Sequence, residues 1–476
     1  MRQSLELDRA AREALWKKVA SVIEEYLRDL PTLPVAPSID PAVARALLQG
    51  VDFETPVPPE RALSLVVEGL RDHQVHNGHP RYFGLFNPAT ATMSVAADAL
   101  AAAFNPQLAA WTHAPFACEA EQLVIQKLGE KFGYRPGEVS GSFTSGGAEA
   151  NHSALLAALM DRFPDFAEEG ARALPGAPVA YVSSESHHSF LKAARLSGIG
   201  ASAVRHVPVN DDFVIDPRGL AASIREDRGA GRVPLFVVAT LGTTGAGLVD
   251  PIGEIADVGH EEDLWVHADA AWGGAIALVP ELRKHLSGVE RADSITFDAH
   301  KWLSVPMAAG MFFTRHPDAL EKTFGVTAGY MPRAEAGVPV IEPHRSSMQW
   351  TRRFIGLKLF LSLLVAGFDG YAETIRSMVR LGDVLRRRLD AAGFRVVNET
   401  PLPVACFQDS RHPEGGSLPY LKALADAVVE SGSAWVSITS LGSRLPAIRA
   451  CVTSFRTEES DLDALVESLS SARPRA

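Results

Sequence analysis

The sequence contains little cysteine and no apolar run long enough to cross a membrane. Its three cysteines, Cys118, Cys406 and Cys451, lie far apart and lack the spacing of a metal site, which favours free thiols in a reducing compartment. The most apolar stretch, residues 354–368, is interrupted by Lys358 and is too short to span a bilayer. The N-terminal segment carries charges where a signal peptide requires an apolar segment. We therefore expect a cytoplasmic protein with no metal site and no membrane contact.

Basic clusters are also missing. The net charge is −11 at pH 7 and no arginine-rich stripe is present, which argues against a nucleic-acid partner. The chain has 476 residues, of which 46% are hydrophobic and 22% are charged. That length and composition are typical of a globular protein with a large core and more than one domain.

Residues 1–78 are predicted to form an N-terminal helical arm. One amphipathic helix covers residues 1 to about 30, and a second begins near Pro59 and ends near Arg71, with proline clusters between them. Two short helices cannot bury their apolar faces against each other alone. We therefore expect the arm to pack against a second subunit.

Residues 79–365 are predicted to form a large α/β domain, and residues 366–476 a smaller C-terminal α+β domain. In the large domain, helical segments alternate with apolar strands. The clearest strands are predicted at residues 179–184, 233–241, 265–269 and 294–298. This alternation favours a mostly parallel sheet covered by helices on both faces. In such sheets the ligand lies beyond the carboxyl ends of the strands.

Polar residues at the predicted strand ends carry the candidate chemistry. Asp269 ends one strand, Lys301 follows the next, and Thr243 lies beyond a third. A desolvated lysine amine with a lowered pKa is a good nucleophile toward a carbonyl group. A carboxylate keeps a pyridine nitrogen protonated, so that the ring can accept electrons. The pair therefore predicts a pyridoxal 5′-phosphate (PLP) site, although either residue alone fits a surface role better.

A glycine-rich turn at the start of a predicted helix offers a phosphate contact. The sequence at residues 141–151 reads Gly-Ser-Phe-Thr-Ser-Gly-Gly-Ala-Glu-Ala-Asn. Small residues there let backbone amides approach an anion, and the helix dipole favours negative charge at that end. The turn matches neither a P-loop nor a dinucleotide fingerprint, so its evidence for a phosphate site is weak when taken alone.

Together these motifs resemble the group II PLP-dependent amino-acid decarboxylases, the family of the aromatic-L-amino-acid, glutamate and cysteine-sulfinate decarboxylases. The resemblance runs from about residue 75 to the C-terminus. It rests on motifs in the family's order at residues 143–151, 187–189, 242–244, 267–271 and 298–302. It implies the PLP-dependent transferase-like fold (fold type I) and a reaction that releases carbon dioxide and an amine.

The resemblance also implies a role for individual residues. Lys301 holds the cofactor, Asp269 pairs with its pyridine nitrogen and His187 stacks on its ring. Tyr330 lies on a mobile loop, residues 323–349, and protonates the product carbanion. The loop reaches into the active site of the neighbouring subunit, so a homodimer is implied. The remaining cofactor neighbours are Ser145, Gly146, Gly147 and Ala148 in the phosphate turn, together with Thr243, Ala271 and His300.

The substrate side chain is less constrained. Phe83, Phe86 and Trp111 cluster near the expected pocket and favour an aromatic amino acid. An acidic or diamino substrate (glutamate, aspartate, cysteine sulfinate or 2,4-diaminobutyrate) stays open, with Arg81 as a candidate partner for a side-chain carboxylate. An oxygen-dependent aldehyde synthase of the same family and a transaminase on the same fold are further alternatives. His187 and the loop tyrosine favour plain decarboxylation over both.

Overall fold

The structure is a computed structural model that describes residues 5–37, 40–326, 329 and 339–474. Tyr330 lies outside the described residues. The helices are α1 (Arg9–Asp29), α2 (Pro41–Leu47), α3 (Pro59–Asp72), α4 (Thr92–Phe104), α5 (Pro115–Phe132), α6 (Gly147–Arg162), α7 (Phe166–Glu169), α8 (Ser189–Leu196), α9 (Pro217–Gly229), α10 (Ile252–Glu261), α11 (Ala319–Phe324), α12 (Leu357–Ala391), α13 (Leu418–Glu430) and α14 (Glu459–Ser471). The strands are β1 (Ser140–Thr144), β2 (Pro178–Ser183), β3 (Val204–Val207), β4 (Val233–Thr240), β5 (Trp265–Asp269), β6 (Ser294–Asp298), β7 (Gly310–Thr314), β8 (Phe394–Val396), β9 (Val404–Asp409), β10 (Ser437–Leu441) and β11 (Leu445–Cys451).

Seven strands form one sheet in the order β1-β7-β6-β5-β4-β2-β3. Four neighbouring pairs in this sheet are parallel, namely β6-β5, β5-β4, β4-β2 and β2-β3. β7 is antiparallel to both β6 and β1, so it alone runs against the other strands of this sheet. The mostly parallel sheet predicted from the sequence is therefore confirmed. Its central strands β4, β5 and β6 end side by side.

Helices cover both faces of this sheet because its strands are apolar on both sides. Along β2, Val179 and Tyr181 pack in the core cluster that includes α5, α9 and α10. The intervening Ala180 and Val182 pack in the cluster that includes α6, α8 and α11. This alternation follows from the two-residue period of a strand, whose successive side chains point to opposite faces. The two layers hold the strand ends in place between them.

A second, antiparallel sheet has the order β10-β11-β9-β8 and packs with α13 and α14. The sequence of residues 353–393 predicts two successive helices, and the long element α12 consists of two helical segments that meet at a break. Its backbone leaves the helical conformation at Gly367, with φ of 62° and ψ of 175°. Glycine tolerates that left-handed φ, so the element kinks there. The proposed domain boundary at residues 365 and 366 falls next to this kink and stays a prediction.

The two predicted N-terminal helices are present as α1 and α3, with the unpredicted short helix α2 between them, and none of the residues of these helices is buried within the single chain. Trp16 is 58% exposed, and Val66 and Leu70 are each 55% exposed. The segment between these helices is anchored instead by its backbone, since the Val35 amide donates to the Gly432 carbonyl at 2.8 Å. Among the described helices, none is both long and apolar enough to cross a lipid bilayer.

A buried ion pair fastens α5 to the segment that leads into α12. Arg352 Nη2 lies 2.5 Å from Glu121 Oε2, and the two side chains are 3% and 1% exposed. Glu121 Oε1 also accepts the Gly356 amide at 2.9 Å. Removing one partner of such a pair leaves the other charge buried and uncompensated.

We therefore expect Glu121→Gln to lower the free energy of unfolding by roughly 3 kcal/mol, because the Arg352 guanidinium keeps its charge without a carboxylate. Urea unfolding measures the change. Glu130→Gln on the same helix is the matched control, because Glu130 pairs with Lys127 at the surface. The control should lose no more than about 0.5 kcal/mol. Equal losses in the two variants would contradict this account of the buried pair.

Candidate active site

Three charged side chains meet at the carboxyl ends of β5 and β6. Asp269 is the last residue of β5 and Asp298 the last residue of β6, and they are 4% and 2% exposed. Lys301 lies one turn beyond β6, and its Nζ is 3.1 Å from Oδ2 of Asp298. The lysine side chain is 22% exposed, so the amine can still be reached from solvent. The acid in contact with Lys301 is therefore Asp298, at the end of the lysine's own strand, while the predicted partner Asp269 ends the neighbouring strand β5.

The glycine-rich turn between β1 and α6 passes beside these residues. A Cβ atom placed on Gly147 would lie 2.9 Å from Asp298 Oδ2 and 3.5 Å from the Ala271 side chain. A Cβ atom on Gly146 would lie 3.6 Å from Cε1 of His300. The first amides of an α-helix have no intrahelical acceptor, so α6 presents N–H groups at this point. Glycine at both positions leaves room for an anion beside Lys301.

Ser145 is engaged by a neighbouring carboxylate. Its amide and its hydroxyl donate to Oε2 of Glu149 at 2.8 and 2.6 Å. Gln349 Nε2 in turn donates to both Glu149 oxygens, at 2.8 and 3.0 Å. Glu149 therefore links the turn to the segment that precedes α12. Ala148 is exposed in the first turn of α6.

His187 lies next to this cluster, just before α8. Its Nδ1 accepts the Ser189 amide at 3.2 Å. Desolvation by the surrounding protein lowers the pKa of His187. The negative charge of Asp269 opposes this shift, and the positive charge of Lys301 adds to it. His187 is nevertheless exposed as a residue. Because Nδ1 accepts a hydrogen bond, a neutral imidazole here carries its proton on Nε2.

The predicted substrate aromatics occupy three different environments. Phe86 stacks on Trp272, with ring centroids 4.1 Å apart and an interplanar angle of 15°. Trp272 Nε1 donates to the Gly242 carbonyl at 2.8 Å, so this stack lies beside the loop after β4. Phe86 is buried in the core of the first sheet and Phe83 in the core around the second, which accounts for both residues without a substrate contact. The Trp111 indole donates to Glu119 at 2.7 Å.

Thr243 is also in the loop after β4, where its side chain has a local partner. It is fully buried, and its Oγ1 accepts the Leu248 amide at 3.0 Å. Ala271 donates its own amide to Oδ1 of Asp269 at 3.2 Å. These two predicted neighbours of the cofactor therefore help to shape the ends of β4 and β5.

Several site residues were not identified from the sequence. Asp298 contacts the Lys301 amine, and Asn151 donates to Asp269 Oδ2 at 2.9 Å. The signals were present: Asp298 lies three positions before Lys301, and Asn151 is a polar residue inside an alanine-rich helix. Gly310 at the start of β7 lies against Gly146. No local sequence pattern indicates the contact between Gly310 and Gly146, because β7 and the turn before α6 are far apart in the chain.

Residues 47–409 match the family described as the pyridoxal-dependent decarboxylase conserved domain. That range is more than half of the chain. The chain belongs to the pyridoxal-dependent decarboxylases.

Individual relatives agree with this assignment. A tyrosine decarboxylase from Oryza sativa subsp. japonica is 33% identical over 86% of this chain and 79% of its own length. The crystal structure of mouse CSAD has a TM-score of 0.92 at 26% identity, covering 99% of this chain and 100% of that chain. A structure of Oryza sativa TDC with PLP and tryptamine has a TM-score of 0.89 at 26% identity and covers 99% of both chains. The protein is therefore a PLP-dependent amino-acid decarboxylase of fold type I.

The side chains of this decarboxylase fit the cofactor. An amine, buried carboxylates and the open amide end of α6 lie together, as an aldehyde, a pyridine nitrogen and a phosphate require. Oδ1 of Asp298 is buried and accepts no hydrogen bond from the described residues. Glycine at positions 146 and 147 leaves space where side chains would otherwise close the site. Among the described residues, no cluster of three or more His, Cys, Asp or Glu side chains is arranged to hold a metal ion.

Gly310→Ala tests the contact between β7 and the phosphate turn. The added Cβ would clash with Thr144 Oγ1 and lie 2.5 Å from the Gly146 Cα. Overpacking of about 1–3 kcal/mol should displace the turn and weaken PLP affinity by about tenfold or more, measured by titrating the apoprotein. Gly229→Ala is the control, because a Cβ there meets nothing within 4 Å. Unchanged affinity in Gly310→Ala would show that the turn does not hold the cofactor.

Proposed function

We propose that this decarboxylase acts on an aromatic L-amino acid and releases carbon dioxide and the corresponding amine. The observation that carries the proposal is that Lys301 contacts Asp298 beside the first turn of α6, while Asp269 at the end of the neighbouring strand is bonded to Asn151 of the same helix. The aromatic preference is supported by the likeness to a tyrosine decarboxylase, which is 33% identical over 86% of this chain.

Lys301 is the residue that would hold the cofactor. Its amine is partly exposed, and Oδ2 of Asp298 at 3.1 Å is placed to accept a proton from it. When bound, PLP supplies a conjugated ring that accepts the electrons of the bond between Cα and the carboxylate. Residues 146 and 147 would leave the phosphate in contact with the amides of α6. Lys301 would also displace the amine product at the end of the cycle.

Asp269 would hold a proton on the pyridine nitrogen. The carboxylate is buried, and it accepts hydrogen bonds from Asn151 at 2.9 Å and from the Ala271 amide at 3.2 Å. Donors of this kind favour the ionised form of a buried acid. A fixed negative charge in a dry site stabilises positive charge on the ring without any rearrangement during the reaction.

His187 would stack on the ring and deliver a proton to Cα. Because the Ser189 amide occupies Nδ1, the neutral imidazole carries its proton on Nε2. That proton is available as a substitute for the one that Tyr330 would donate from its loop. Both residues deliver a proton after carbon dioxide leaves, which favours an amine over an aldehyde as the product.

A homodimer is part of this proposal. The arm exposes Trp16, Val66 and Leu70, which a second subunit would cover. Such clusters of exposed apolar side chains mark interaction surfaces. The loop at residues 323–349 would then bring Tyr330 to the neighbouring site.

An acidic amino acid is the second candidate substrate, because a cavity next to the site is lined in part by an arginine side chain. The cavity measures about 250 Å³, and its lining includes His300, Asn87 and Arg456. A side-chain carboxylate that entered it would meet the Arg456 guanidinium. The two candidates therefore differ in whether the substrate side chain carries a charge that the Arg456 guanidinium would pair with.

A substrate panel tests the proposed function. The PLP-loaded protein is incubated with each common amino acid, dihydroxyphenylalanine, cysteine sulfinate and 2,4-diaminobutyrate, and products are identified by mass with and without oxygen. We expect an aromatic amine, formed equally in both atmospheres. An amine from an acidic substrate would move the assignment to the second candidate. An aldehyde that requires oxygen, or a keto acid, would contradict the proposed reaction.

Lys301→Ala is the matching variant. It should abolish the absorbance band of the covalently bound cofactor. It should also lower amine formation by about a thousandfold or more, because the protein loses the amine that holds the cofactor and that displaces the product. Lys192→Ala is the control, because Lys192 is an exposed lysine on α8. A Lys301→Ala protein that kept the cofactor covalently bound would place the attachment on another lysine.

A further inference from the structure

A chain of buried hydrogen bonds leads from Trp265 to Asp269, behind the proposed cofactor site. Nε1 of Trp265 donates to Oγ of Ser294 at 2.8 Å, and that oxygen lies 2.8 Å from Nδ1 of His267. Nε2 of His267 lies 3.1 Å from Oδ1 of Asn151, whose Nδ2 donates to Asp269 Oδ2 at 2.9 Å. All five side chains are buried.

The two ends of this chain fix the direction of every link. An indole N–H can only donate, and an ionised carboxylate can only accept. The Asp269 carboxylate requires the amide nitrogen of Asn151, because a flipped Asn151 would set its oxygen against the carboxylate. The Asn151 oxygen then accepts the proton on Nε2 of His267, which leaves Nδ1 of the neutral imidazole without one. Ser294 therefore accepts from Trp265 and donates its own hydrogen to Nδ1.

The imidazole in the chain is neutral. Burial lowers the pKa of His267 to about 4, although the nearby Asp269 charge opposes the shift. The other polar groups around the chain are hydroxyls: Thr296 Oγ1 lies 3.3 Å from His267 Nε2, and Ser189 Oγ accepts the second Asn151 hydrogen at 2.9 Å. The chain thus brings aligned dipoles to Asp269 and no second charge.

We propose that Asn151 and His267 are positioning residues that keep Asp269 ionised and directed at the cofactor's pyridine nitrogen. This inference rests on the proposed role of Asp269. A buried carboxylate that loses its donors takes up a proton more readily, because burial disfavours the charged form. A protonated Asp269 would no longer stabilise positive charge on the ring. The donor from Asn151 prevents this, and His267 prevents Asn151 from rotating.

Two substitutions separate this role from a purely structural one. Asn151→Leu has nearly the same size but neither donates nor accepts. Asn151→Asp keeps an acceptor for His267 and sets a second carboxylate against Asp269, which raises the pKa of one of the two acids. At low pH a proton shared between them restores a donor to Asp269. At high pH both acids are charged and no donor remains.

The readouts are the PLP affinity of the apoprotein between about pH 5.5 and pH 8 and the separate values of kcat and KM. Asn151→Leu should bind PLP about tenfold or more weakly at every pH and lower kcat rather than raise KM, since a supporting donor is lost. Asn151→Asp should match Asn151→Leu near pH 8 and recover affinity, relative to wild type, as the pH falls. Ser153→Ala is the control, because its buried hydroxyl on α6 bonds only the Glu149 carbonyl among the described residues.

The outcomes identify which claim fails. A pH-independent loss in Asn151→Asp, equal to that of Ser153→Ala, would overturn the positioning role and leave the decarboxylase function standing. Wild-type affinity and kcat in both Asn151 variants would overturn it as well. A wild-type protein that binds PLP but forms no amine from any amino acid would instead contradict the proposed function. If Asn151→Leu does not fold, the pH profile of Asn151→Asp decides alone.

Discussion

A buried negative charge at the end of β5 is the constraint on which the site depends. Asp269 is 4% exposed, and a buried carboxylate requires hydrogen-bond donors around it. One donor comes from the backbone at Ala271, and the other from Asn151 on α6. Asn151 lies four residues after Gly147, so both are on the same face of that helix. A single helix face therefore supplies the phosphate turn and the donor to Asp269.

The sheet and its neighbours fix where Lys301 lies relative to that charge. Adjacent pairing of β5 and β6 sets Asp269 beside the strand that leads to the lysine. Beyond Lys301 the chain is held by Lys358 of α12, whose Nζ donates to the carbonyls of residues 306, 307 and 308 at 3.2, 2.7 and 3.1 Å. His300 Nδ1 accepts the Ala309 amide at 3.1 Å. The segment around the reactive amine is thus fixed on both sides.

The sequence was sufficient to predict the parallel sheet and the positions of Lys301 and Asp269. These predictions rest on the periods of strands and helices and on the five ordered motifs. Such patterns involve residues close together in the chain, so they can be recognised without the structure. The roles of Asp298 and Asn151 required the structure, because each depends on a contact between different elements. The same holds for Phe83 and Phe86, which pack in two different hydrophobic cores. A linear pattern does not distinguish a pocket aromatic from a core one.

The role of Asp269 is tested most directly by Asp269→Asn. An amide of the same shape can still bond Asn151 but carries no charge, so it cannot keep a proton on the pyridine nitrogen. The measurement is kcat for decarboxylation of the best substrate, with the covalent cofactor band recorded in the same sample. We expect the band to remain and kcat to fall by about a hundredfold or more, the usual cost of losing a preorganised charge. A variant with the band and a kcat within about threefold of wild type would contradict the account, because electrostatic preorganisation would then contribute little.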